Sequence, residues 1–137
     1  MKPVLLDTGC IVALLDRSER RHQACVEALD KVSGPLATCE PVIAETCYLL
    51  RRLPGAVDAV LENVARGIFT LPLPLHERVP AIRRLLKKYA RVPMDLADAC
   101  LVDLADELGT GGILTLDSDF HVYRWGRNRP FDVLIGP

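Results

Sequence analysis

Four acidic residues occupy positions that suit chemistry better than solvation: Asp7, Glu45, Asp98 and Asp117. Asp98 lies in PMDLADACLVDLADE, residues 93–107, which reads as a helix. At 100° per residue its stripe neighbours are Met94, Leu101, Val102 and Ala105, all apolar. Glu45 repeats the pattern within PVIAETCYLLRRL, flanked on its stripe by Pro41, Val42, Tyr48 and Leu49. A carboxylate in such surroundings costs several kcal/mol to desolvate unless something neutralises it. The sequence puts no lysine or arginine directly beside Asp7, Asp98 or Asp117. A divalent cation is the natural partner. Carboxylate and water oxygens suit Mg²⁺ or Mn²⁺, whereas zinc favours His or Cys, and His22, His76 and His121 are too scattered to form a site. Such an ion activates water and holds a phosphate oxygen, which is the chemistry of phosphodiester cleavage. Asp119, two residues after Asp117, is close enough to join the group.

Each acid also has a structural reading. Asp98 with Asp95 resembles a capping box, and the helix dipole favours both. Glu45 could pair with Arg52, Asp7 could cap the first helix, and Asp119 could cap a helix running into FHVYR. On the helix of Asp98, the residues Asp103, Asp106 and Glu107 read as its solvent-facing side.

The elements that must position these acids follow from patterning. PVLL (3–6) is a short buried strand ending at Asp7, and GCIVALLDR is a helix with Thr8 as its cap. ERRHQACVEALDKV is a second helix, GPLATC a turn and short strand, and PVIAETCYLLRRL a helix starting near Pro41. AVDAVLENVARG is a helix closed by Gly67, and IFTLPL a strand. HERVPAIRRLLKKYAR is amphipathic, with Ile82, Leu85, Leu86 and Tyr89 on one side, and Pro80 requires a place in its first turn. GGILTLD is a strand ending at Asp117, SDFHVYRW a short helix, and FDVLI a last strand. This alternation predicts one α/β domain over residues 1–137, with a mainly parallel central sheet and helices on both faces. Parallel strands place Asp7 and Asp117 on one edge. Helices begin on that same edge, which brings Glu45 and Asp98 toward it. Ligands bind at that edge in such sheets, near a topological switch point.

The net charge is −1, with 17 Lys and Arg against 18 Asp and Glu, so a polyanion would need a local basic patch. Arg83, Arg84, Lys87, Lys88 and Arg91 form one candidate, which also reads as a solvated helix face. Arg124, Arg127 and Arg129, in the loop-like RWGRNRP, form the other. Trp125 there reads as packing. The five cysteines, Cys10, Cys25, Cys39, Cys47 and Cys100, show no metal or redox spacing and read as small buried hydrophobes, which points to a reducing cytoplasm. No secretory leader or membrane span is expected.

Taken together, LLDTGCIVALLDR, PVIAETCYLL, MDLADACLVDLA and ILTLDSDFHVYR resemble the PIN domain, and most closely its VapC-type ribonuclease toxins. The resemblance covers nearly the whole chain. It implies a three-layer α/β/α fold with a parallel sheet of four to five strands. It also implies Mg²⁺- or Mn²⁺-dependent RNA cleavage, dimerisation and inhibition by a small antitoxin protein. The family's acids map to Asp7, Glu45, Asp98 and Asp117, with Asp119 as a second acid of the last motif and Thr8 as the hydroxyl after the first. One departure is that Leu116 precedes Asp117, which displaces the usual polar residue to Thr115 and points its hydroxyl away from the metal. Two other classes compete: a phosphate-transfer domain using Asp7, and a non-catalytic PIN-like scaffold. A haloacid-dehalogenase-type phosphatase would want an acid where Gly9 stands. A receiver domain would want a late lysine that ILTLDSD lacks.

Overall fold

The computed structural model describes residues 1–136. Its elements run β1 (Val4–Leu6), α1 (Thr8–Leu15), α2 (His22–Asp30), β2 (Leu36–Ala37), α3 (Glu40–Leu49), α4 (Ala56–Ala65), β3 (Phe69–Thr70), α5 (Leu75–Lys88), α6 (Leu96–Leu108) and β4 (Gly112–Leu114). A 3-10 turn (Ser118–His121), β5 (Arg124–Trp125), β6 (Arg129–Pro130) and β7 (Asp132–Val133) complete it. Five strands form one parallel sheet in the order β3-β2-β1-β4-β7, while β5 and β6 form a separate antiparallel hairpin. Helices flank the sheet, giving the three-layer α/β/α architecture.

Short apolar strands buried on both faces are what a parallel sheet between helices demands. Leu5, Leu6, Ile113 and Leu114 are fully buried at its centre. α6 is buried along most of its length, with Leu101, Val102 and Ala105 at 0% exposure. The chain leaves β1 toward β2 and β3 on one side, then returns to place β4 and β7 on the other. The strand order therefore reverses between β1 and β4, and the crevice beyond their carboxyl ends is the switch point.

Several elements differ from the sequence reading. IFTLPL contributes only the two-residue β3, because Pro72 and Pro74 withhold ladder donors. SDFHVYRW is a single 3-10 turn followed by β5, and RWGRNRP is a hairpin, not a loop. Gly126 and Asn128 supply positive φ at its tip. Pro80 lies in the second turn of α5, not the first. It is exposed there, so the carbonyl it cannot bond can turn to water. Among the described residues, no helix is long and apolar enough to cross a membrane.

Candidate functional site

Asp7 directly follows β1. Its backbone N–H donates to the Leu114 carbonyl at 3.0 Å, which carries the β1–β4 ladder one step further and seats Asp7 at the switch point. The carboxylate is 7% exposed. Oδ1 accepts from the Thr8 N–H at 2.8 Å and caps α1. The cap is thus Asp7, in extended conformation, and Thr8 is the first helical residue.

Oδ2 of Asp7 accepts from the Thr115 hydroxyl at 2.7 Å, and that hydroxyl accepts from the Asp117 N–H at 3.0 Å. Thr115 therefore points into the site and joins two of its acids. The expectation that Leu116 turns it away is corrected by strand register: Leu6 pairs with Leu114, so the next residue on each strand meets across the ladder. Asp117 caps the 3-10 turn, with Oδ1 accepting from the Asp119 N–H at 2.9 Å.

Asp98 is the third residue of α6 and is 9% exposed. Its N–H donates to Asp95 Oδ1 at 2.9 Å, and the Asp95 N–H donates to Asp98 Oδ2 at 3.2 Å, completing a capping box. The structural and the chemical readings of Asp98 hold together. Oδ2 serves the cap, while Oδ1 has no hydrogen-bond partner among the described residues.

Asp7, Thr8, Glu45, Asp98 and Asp117 all line one open cleft of about 260 Å³. Glu45, on α3, is exposed and pairs with no cation among the described residues, Arg52 included. Asp119 does not line the cleft. Burial, above all, pushes the Asp7 carboxyl above its ordinary value. The charges of Asp117 and Glu45 add to this, against the bonds from Thr115 and Thr8. Burial likewise lifts Asp98 to about 7, with Asp95, Asp7 and Asp117 adding repulsion against the Asp95 backbone bond. The cleft concentrates negative charge without a protein cation to balance it.

The donor set fits a hard divalent cation in kind: every candidate ligand is an oxygen. The Thr8 hydroxyl is buried with no hydrogen-bond partner among the described residues, as a group awaiting a ligand would be. No three acidic, histidine or cysteine side chains among the described residues form a ready cage, so the carboxylates would close in on binding.

Outside the cleft, Asp106 and Glu107 are exposed as the helix pattern predicts, but Asp103 is not. Asp103 is 3% exposed and makes a two-point pair with Arg78 of α5 at 2.9 and 2.8 Å, while Glu107 takes a further Arg78 bond. Asp106 accepts from the Gly126 N–H at the hairpin. Packing of α5 and the hairpin on α6 covers a side that the helix alone leaves open. Arg124 donates to the carbonyls of His121, Val122 and Tyr123 and braces their turn. Arg129 lies 5.2 Å over the Trp125 ring, whose Nε1–H donates to Pro130. Arg127 is exposed, as are Arg83, Arg84, Lys87, Lys88 and Arg91. Tyr123, which the sequence reading passed over, reaches Asp98 from beneath. Its only sequence signal is an aromatic shortly after the last acidic motif.

A parallel sheet with buried acids at its switch point defines an α/β protein with a strand-end acidic ligand site. The PIN domain family model matches residues 4–126. Ribonuclease VapC26 of Mycobacterium tuberculosis is 34% identical over 116 residues, covering 83% of this chain and 86% of that protein. The crystal structure of VapC20 of the same organism, described as a sarcin-ricin loop cleaving toxin, aligns with a TM-score of 0.79 at 18% identity. That alignment covers 87% of this chain and 93% of that one. The chain belongs to the PIN domain family, in its VapC-type branch.

Proposed function

We propose that the protein is a metal-dependent endoribonuclease that hydrolyses RNA phosphodiester bonds, and that it is the toxin of a type II toxin–antitoxin pair. The observation that carries the reading is the convergence of Asp7, Asp98 and Asp117 on one cleft, each acid held by hydrogen bonds and none balanced by a cation among the described residues. The 34% identity to a ribonuclease supports the choice of RNA.

In this reading Asp7, Asp98 and Asp117 hold Mg²⁺ or Mn²⁺, with Asp119 in reserve for a weaker second ion. The bound cation would supply charge neutralisation at the phosphate and a more acidic water. Thr115 keeps Asp7 and Asp117 in mutual register. Glu45, opposite on α3 and without a competing partner, orients the attacking water and takes its proton. The Thr8 hydroxyl donates to a ligand carboxylate or a phosphate oxygen. Arg127, with Arg124 and Arg129, and the exposed cations of α5 are the candidates for the positive charge that the RNA backbone needs. A small antitoxin protein, a homodimer, a single domain and a cytoplasmic setting complete the proposal.

The test is cleavage of a mixed RNA pool by purified protein in Mn²⁺, Mg²⁺ or EDTA, beside Asp98→Asn and Asp7→Asn. Cleavage by the wild type alone, and only with metal, is the expected result. Equal cleavage by all three proteins, or full activity in EDTA, would sink the assignment.

A further inference from the structure

We infer that Tyr123 is a positioning residue for the acidic cleft, fixing Asp98 so that one carboxylate oxygen is presented to the cation; this rests on the metal-dependent reading above. Tyr123 is fully buried. Its ring makes edge-to-face contacts with Tyr89 and Phe120, with centroids 5.2 and 5.1 Å away. Two aromatic walls hold the ring in place, so its hydroxyl is a fixed point and not a mobile side-chain end.

That hydroxyl shares its single proton between two acceptors, the carbonyl of Pro93 and Asp98 Oδ2, the latter at 3.3 Å. Pro93 lies on the chain entering α6, and Asp98 lies in its first turn. One hydroxyl thus links the chain entering α6 to Asp98 of the capping box. Burial, and then the charge of Asp98, pushes the Tyr123 phenol above its ordinary pKa, so it stays protonated as a donor.

The consequence is directional. Asp98 Oδ2 receives the Asp95 N–H and the Tyr123 hydroxyl, so it is already engaged. Oδ1 is left for a ligand. Tyr123 also follows directly on the 3-10 turn that Asp117 caps, and its own N–H donates to the Asp119 carbonyl at 3.0 Å. It therefore ties the turn bearing Asp117 to the helix bearing Asp98, two acids 19 residues apart in sequence. Partners that orient a metal ligand in this way typically change metal affinity or activity about 10–100-fold when removed.

The experiment is Mn²⁺ titration by calorimetry on wild type, Tyr123→Phe and Tyr89→Phe. Tyr89→Phe is the control, since its hydroxyl accepts from the Arg124 N–H and does not touch Asp98. Tyr123→Phe keeps the ring and is expected to weaken Mn²⁺ binding at least 10-fold, while Tyr89→Phe stays within 2-fold of wild type. Equal Mn²⁺ affinity in Tyr123→Phe and wild type overturns the inference, as does an equal loss in both variants. Wild-type protein that binds no Mn²⁺ sinks the metal-dependent reading itself. A crystal structure of the Mn²⁺-bound wild type gives a second check that needs no variant. The Tyr123 hydroxyl is expected within hydrogen-bond distance of Asp98, and a separation beyond about 3.5 Å overturns the inference.

Discussion

Asp98→Asn separates repulsion from ligation. In the metal-free protein, burial and the nearby carboxylates lift Asp98 from its ordinary 3.8 to about 7. A carboxyl raised on folding stabilises the fold fully below its ordinary value, and that contribution is lost as pH rises through about 7. Over the whole interval the rise corresponds to about 4 kcal/mol. The cleft is open to water, which screens part of the repulsion, and halving the figure leaves about 2 kcal/mol. Asparagine does not titrate, and its side-chain oxygen can still accept from the Asp95 N–H. In EDTA the variant should therefore melt only about 1–2 °C above wild type at pH 4.5 and about 6–8 °C above it at pH 8, at about 3–4 °C per kcal/mol for a chain of this size. Mn²⁺ should reverse the order at pH 8. At 100 times its Kd, an ion bound only by the folded wild type adds about 2.7 kcal/mol, which the variant forfeits. The assay is differential scanning fluorimetry from pH 4.5 to 8.5 with EDTA or Mn²⁺. Melting temperatures that stay parallel across pH in EDTA would refute the electrostatic reasoning, whatever the metal does.

Thr115→Val removes the hydroxyl that donates to Asp7 and accepts from the Asp117 N–H. It should lower metal-supported cleavage about 10–100-fold and raise the pH at which activity appears, read from a pH–rate profile. Arg78→Ala strands the buried Asp103 carboxylate, and the urea midpoint at pH 7 should fall by the equivalent of about 2–4 kcal/mol without altering Mn²⁺ affinity. Glu45→Gln alters an exposed side chain, so its melting temperature in EDTA should change little while single-turnover cleavage drops about 10²-fold. Arg127→Ala should weaken RNA binding alike across sequences and reduce the slope of log affinity against log salt by about 1, measured by anisotropy on catalytically dead Asp98→Asn.

The acidic constellation was legible because each acid broke the pattern of its own element. Asp98 and Glu45 interrupt apolar stripes, and Asp7 and Asp117 end apolar runs. The alternation of elements then places all four on one edge, and the cleft does gather them. Asp103 is buried although its helix position reads as solvent-facing. A helix stripe shows which side is apolar, but it does not show that α5 brings Arg78 to the polar side and buries the charge there. Thr115 was misjudged because sequence spacing counts residues along one strand, whereas its partner Asp7 lies across the ladder, 108 positions away.

The sequence by itself determined the α/β class and which carboxylates would be hard to place without a partner, since hydrophobic periodicity and charge content are local properties. The tertiary structure decided which groups hold each carboxylate, and at Asp98 which oxygen is left without a partner among the described residues. Thr115 reaches Asp7, Tyr123 reaches Asp98, and Asp119 stays outside the cleft, because strand register and aromatic packing join residues that no local pattern relates.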